Sequence, residues 1–154
     1  MRPLLPFPLP LALGTDICSV ARVSRILSHP TRGPRFVERV LAPEERELPR
    51  VKGVLARGAR DGRVAEFMAG RFAAKEAAFK AHPAHHLSFH DVVIRSTGAE
   101  SGPIAAIIRA VDVDFTALVS ISHDGGFAMG VCLGCAPSFD NATSEGKLPG
   151  NNGE

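Results

Sequence analysis

Tryptophan and tyrosine are absent from this chain, and nine phenylalanines are its whole aromatic complement. Binders of single-stranded nucleic acid stack bases on aromatic platforms, so that class loses two of its usual contact residues. Cysteine is scarce. Cys18, Cys132 and Cys135 are too few, and odd in number, for a disulfide framework, which suits a reducing compartment. No apolar run approaches the roughly 20 residues of a membrane span, and no internal repeat is present. Acids are missing from the first fifteen residues, where Arg2 is the one base. That poverty suits an organellar transit peptide, but Pro3, Pro6, Pro8 and Pro10 break the amphipathic helix such a peptide needs. The same prolines break the apolar core of a secretory signal.

What remains is an ordinary globular composition. The chain has 154 residues, 45% hydrophobic and 22% charged, enough for one domain with a real core. Its net charge is only +2, unevenly spread. Arg22, Arg25, Arg32, Arg35 and Arg39 share their stretch with a single acid, Glu38, and residues 46–63 carry six bases against Glu47 and Asp61. Such runs form either a solvated face or a docking surface for an anionic partner.

The pattern along the chain predicts an α+β fold, with helices clustered first and strands second. Leu9 to Cys18 reads as a buried strand entering a turn, with Ser19 capping a helix that carries Val23, Ile26 and Leu27. His29 to Pro34 breaks that helix, and Arg35 to Leu41 resumes it. Pro43-Glu44-Glu45 opens another helix. Residues 49–63 read as a mobile Gly- and Arg-rich loop. A long helix follows over about Val64 to Ala81. Phe89–Arg95, Ile104–Arg109, Leu118–Ser122 and Phe127–Leu133 read as strands, the last two joined by a hairpin at Asp124-Gly125-Gly126. Residues 1–136 form the expected domain, and the Gly- and Asn-rich stretch 137–154 a disordered tail.

Phe67-Met68-Ala69-Gly70-Arg71-Phe72-Ala73-Ala74-Lys75-Glu76-Ala77-Ala78-Phe79-Lys80-Ala81 carries the most chemistry. Glu76 and Lys80 are four residues apart and share a helix face. Glu76 borders the apolar stripe Met68, Phe72, Phe79, where a carboxylate needs a partner or a metal. Arg71 and Lys75 make a second i,i+4 pair. One acid among three cations suits a divalent metal and a polyphosphate, although a solvated helical pair is the commoner explanation of such spacing. Asp16, in Gly14-Thr15-Asp16-Ile17, stands where a carboxylate either shapes a turn, caps a helix or meets a ligand. Ser122-His123-Asp124 cannot converge as a triad, because neighbours in a strand face opposite ways. His82, His85, His86 and His90 lack a regular ligand spacing for zinc. Cys132 and Cys135 fall on opposite strand faces unless a turn at Gly134 reunites them.

Gly14-Thr15-Asp16-Ile17, the helix Arg71-Phe72-Ala73-Ala74-Lys75-Glu76-Ala77-Ala78-Phe79-Lys80-Ala81 and Ser120-Ile121-Ser122-His123 together resemble the holo-acyl-carrier-protein synthase family of 4′-phosphopantetheinyl transferases. The three occur in the family's order and frame residues 11–134. The resemblance extends to the fungal mitochondrial branch, which implies a mitochondrial location, with a cytoplasmic one otherwise. It implies a transferase-like α+β fold, an antiparallel sheet packed on a long central helix.

The implied reaction is attack of a carrier-protein serine on the β-phosphate of coenzyme A. Phosphopantetheine transfers and adenosine 3′,5′-bisphosphate leaves. By the resemblance, Asp16 and Glu76 hold Mg²⁺. Glu76, Lys80 and His123 are catalytic. Arg71, Lys75, Lys80, Gly102 and Pro103 bind the nucleotide and its phosphates. Arg22, Arg25, Arg35 and Arg39 dock an acidic acyl carrier protein. The family also implies a homotrimer with sites between subunits, no nucleic-acid partner and no membrane. The family's glycine-containing loop after the helix is replaced here by Ala81-His82-Pro83-Ala84-His85-His86, and the 49–63 segment is longer. The rival from composition is a non-catalytic basic module for RNA or another polyphosphate. Asp16 and Glu76 oppose it, since carboxylates repel a phosphate backbone.

Overall fold

The computed structural model describes residues 9–98, 103–110 and 113–135. A five-stranded antiparallel sheet, ordered β1-β5-β4-β3-β2, packs one face on a long helix. The strands are β1 (Leu11–Ser19), β2 (Val92–Ser96), β3 (Ile104–Arg109), β4 (Asp114–Asp124) and β5 (Phe127–Cys135). The helices are α1 (Val20–Leu27), α2 (Arg32–Val40), α3 (Pro43–Glu47), α4 (Pro49–Leu55) and α5 (Gly62–Ala81).

Local chemistry accounts for most boundaries. The Ser19 hydroxyl accepts the Arg22 N–H and caps α1. Asp61 does the same for α5 through the Arg63 N–H. Gly125 and Gly126 have φ of 54° and 81°, the left-handed pair that a two-residue β4–β5 hairpin requires.

The packing of α5 on the sheet depends on small residues. A Cβ on Gly14 would lie 1.9 Å from the Ala77 carbonyl oxygen, and one on Gly130 would lie 2.5 Å from the Ala73 carbon. These glycines, with Ala73, Ala74, Ala77 and Ala81 opposite, let the helix backbone rest on β1 and β5. One core lies where the first half of α5 meets α1, α2 and α4, around Val23, Leu27, Val51, Val64 and Met68. The second lies between its last turns and the sheet, around Val92, Ile94, Ile108 and Cys132.

Several expectations need correction. Residues 49–55 are helical: Val51, Val54 and Leu55 present an apolar edge at i, i+3 and i+4, and Val51 is buried. Arg32 to Pro34 belong to the first turn of α2 rather than to a break. Asp16, by contrast, lies inside β1 as the strand expected over Leu9 to Cys18 has it, and Ser19 caps α1 as expected. β5 runs straight through Gly134, so Cys132 is buried and Cys135 exposed on opposite sides. Gly102 and the 137–154 tail lie outside the described residues. No described helix is long and apolar enough to cross a membrane.

Candidate active site

On β1, Ala12, Gly14, Asp16 and Cys18 alternate toward the helix. Because Gly14 lets α5 settle there, Asp16 arrives beside the last turns of α5. The Lys80 ammonium donates to Asp16 Oδ1 at 2.9 Å and to the Thr15 carbonyl at 2.8 Å. Lys80 therefore bridges to β1, although spacing alone pairs it with Glu76. Glu76 makes no side-chain hydrogen bond among the described residues. Burial and the nearby Asp16 carboxylate raise its pKa, and the charges of Lys80 and Arg39 oppose the rise. Two carboxylates that repel each other, one without a donor, form a donor set that a hard divalent cation fits. Mg²⁺ is held by one or two carboxylates with phosphate oxygens and water completing the shell.

Glu76 borders two cavities. One, of about 260 Å³, is lined by Arg22, Ile26, Phe36, Arg39 and Phe72 from α1, α2 and α5. The other, of about 450 Å³, is lined by Arg39, Phe79, Leu87, Ser88, Phe89 and His90. The guanidinium of Arg22 sits 5.5 Å over the Phe72 ring and donates to Cys18 Sγ at 3.4 Å; that of Arg39 sits 5.6 Å over Phe89. Arg22, Arg25, Arg35 and Arg39 are all exposed, and the first and last flank the carboxylate.

Lys75, expected among the phosphate-facing cations, points into the core. The helix turns about 100° per residue, which carries residues 71 and 75 well away from the face of Glu76. Lys75 is fully buried, with its ammonium ion-paired to Glu45 Oε2 and donating to the Phe89 carbonyl at 2.8 Å. Arg71 donates to the Ile94 carbonyl at 3.0 Å and lies 3.9 Å from Glu45 Oε1. Burial lowers the pKa of both cations and the Glu45 charge raises it. Sequence reasoning missed Glu45. It stands in the first turn of α3, where acids are ordinarily exposed partners of the helix dipole, and nothing in the sequence marks this one as buried.

Arg71 also borders a second region. It lines a cavity of about 610 Å³ with Arg50, Arg95, Ser96, Thr97 and Ile104. Pro103 adjoins that cavity, its carbonyl oxygen accepting from the Thr97 N–H at 2.8 Å and the Thr97 hydroxyl at 3.0 Å. A smaller cavity of about 270 Å³ joins Arg71 to His123. The His123 Nε2–H donates to the Glu66 carbonyl at 3.0 Å. Glu66 precedes Glu76 by ten residues, about 15 Å along a helix axis. Within one chain, then, His123 and the Asp16–Glu76 pair sit at different ends of α5. Two other histidines are engaged elsewhere. His82 is buried with Nδ1 bonded to Ala78, and His90 Nε2–H donates to the Glu38 carbonyl.

Comparison with known proteins identifies the family. The model of the 4′-phosphopantetheinyl transferase superfamily matches residues 12–132. The chain is 34% identical over 148 residues to 4′-phosphopantetheinyl transferase B, mitochondrial, of Aspergillus fumigatus, covering 84% of this chain and 97% of that protein. It is 39% identical over 130 residues to the holo-[acyl-carrier-protein] synthase of Anaeromyxobacter dehalogenans, covering 80% and 94%. The solved holo-(acyl-carrier-protein) synthase of Bacillus anthracis, in complex with CoA (3′,5′-ADP), superposes with a TM-score of 0.56 at 29% identity over 82% of this chain and 96% of that one. With the match spanning sheet and long helix alike, the chain belongs to the 4′-phosphopantetheinyl transferase superfamily.

Proposed function

We propose that this protein transfers 4′-phosphopantetheine from coenzyme A to a serine of an apo acyl carrier protein, with Mg²⁺ held by Asp16 and Glu76. The observation that carries the reading is the pair of mutually repelling carboxylates beside Lys80, in a member of this superfamily. The ion, when bound, neutralises phosphate charge. Lys80 has three N–H donors and spends two on Asp16 and Thr15, which leaves one for an anionic pyrophosphate. Glu76 faces the cavities on both sides of Arg39 and accepts the proton of the incoming serine. The serine oxygen bonds to the β-phosphorus, the bond to the bridging oxygen breaks, and that electron pair departs with adenosine 3′,5′-bisphosphate.

The exposed arginines of α1 and α2 dock the acidic carrier and present its serine. The cavity of Arg50, Arg71 and Arg95 supplies cationic walls for the nucleotide end of coenzyme A, and His123 a further donor. Because these groups stand apart from Glu76 in one chain, a complete site forms between subunits. The sheet face opposite α5 supports a homotrimer, since it exposes Leu13, Ile17 and Leu118 at 69%, 63% and 68%. The mitochondrion is the proposed location, after the name of the fungal relative. A phosphate-backbone binder would gain nothing from two carboxylates in its site.

Carrier modification by Asp16→Ala and Glu76→Ala variants, checked for folding by circular dichroism, tests the assignment. Both should lose transfer while keeping the fold, because the half-exposed Asp16–Lys80 pair is worth no more than about 1 kcal/mol. Near-normal rates with Mg²⁺ in both variants would refute it.

A further inference from the structure

The Glu45–Lys75 ion pair is closed to solvent and to either substrate, and a charge pair taken out of water is a poor source of net stability. Its connections are more informative. Glu45 Oε2 accepts the Ala42 N–H at 2.9 Å and Oε1 the Ile94 N–H at 3.1 Å, so the carboxylate joins the start of α3 to β2. Lys75, next in sequence to Glu76, passes the link to the Phe89 carbonyl. The Phe89 ring packs 5.4 Å from Phe72 and 5.2 Å from Phe79, and carries the Arg39 guanidinium on its face. His90 is bonded at 2.7 Å to the carbonyl of Glu38, the residue before Arg39. Residues 89 and 90 thus hold Arg39 twice, by a platform beneath its side chain and a tie to its backbone neighbour.

We propose that the buried Glu45–Lys75 pair is a positioning device: it fixes the 89–90 segment so that Arg39 is aimed at the mouth of the cavities beside Glu76. The proposal rests on the reading of Arg39 as a carrier-docking residue. Neither Glu45 nor Lys75 touches a substrate; both act through Phe89. An arginine held on an aromatic face presents its charge in one place, whereas a free one spreads over many rotamers and loses entropy on docking.

Two variants probe the device. Phe89→Leu keeps apolar bulk and removes the aromatic face. Glu45→Gln combined with Lys75→Met removes both charges of the pair together, so the net charge of the buried cluster is unchanged, and Arg71 keeps its hydrogen bond to the Ile94 carbonyl. In each, the carrier KM at low salt should rise about three- to tenfold, the loss of one cation–π contact, while the coenzyme A Kd stays within about twofold. A purely structural role would lower the active fraction, and so kcat, with the carrier KM unmoved. In a double-mutant cycle, Arg39→Met should add little once Phe89 is leucine. Amide exchange at Ser88–Asp91 should quicken in the charge-free pair, while the β4–β5 hairpin stays protected. Additive effects of Arg39→Met and Phe89→Leu, or an equal loss of coenzyme A affinity, would overturn the proposal. Should the charge-free pair fail to fold, the Phe89→Leu cycle decides alone. If the wild-type protein modifies no carrier, the transferase reading falls, and unchanged exchange at Ser88–Asp91 would separately refute the hold on the loop.

Discussion

Lys80 and Lys75 differ by five positions on one helix and lead opposite lives. Lys80 leaves α5 for Asp16 and remains half exposed, with a donor to spare. Its replacement by alanine should lower kcat by about a hundredfold and coenzyme A affinity far less, because a charge beside a transferring phosphoryl group counts most in the transition state. A variant with turnover intact and only binding weakened would contradict that role. His82 makes a different kind of prediction. It is buried, its Nε2 has no partner, and burial lowers its pKa. The unfolded chain therefore binds more protons than the native one as pH falls through the ordinary histidine value of about 6.5, and stability declines on the acid side. Urea midpoints between pH 7 and 5 should fall for the wild type and more shallowly for His82→Leu; equal slopes would show that another group governs the acid limb. Asp16, Glu76 and Lys80 were legible in the sequence because motif and helical spacing place them together. The burial of Lys75 and His82 was not, since it is set by segments that arrive from distant parts of the chain.

The elements show the same division. The strands, the hairpin and α5 follow from alternation, glycine turns and alanine-rich spacing, and each stands close to where the pattern predicts. α4 did not, because Pro49 and Gly53 read as loop signals, yet Pro49 sits at the first helical position and Val51 anchors the helix in the core. Glycine now separates into two physical classes. Gly14→Ala drives a methyl into the Ala77 backbone and should destabilise the fold by about 1–3 kcal/mol or more. Gly53→Ala, in α4 with nothing within 4 Å, should stabilise it by about 0.5–1 kcal/mol. Thermal unfolding of the two variants checks the signs; a neutral Gly14→Ala would mean that α5 does not lie on β1 as described.

For the whole molecule, register gathers the exposed apolar side chains on one sheet face, which no described element covers. Leu13, Leu133 and Leu118 form one row across β1, β5 and β4, and Ile17 stands beside Met129 in another. If that face joins subunits and the site is shared, Glu76→Ala and His123→Ala chains, each inactive alone, should regain activity when refolded together. No recovery from mixed assemblies would place both residues' work within single chains. The sequence patterns of β1, β4 and β5 displayed these apolar positions but could not say which face α5 would leave uncovered. The central claim is transfer itself, and the mass of the carrier decides it most directly. An apo acyl carrier protein incubated with this protein, coenzyme A and Mg²⁺ should gain the mass of one phosphopantetheine group on its serine, and should gain nothing when Glu76 is alanine or the metal is chelated. A carrier that keeps its apo mass beside folded wild-type protein would contradict the account.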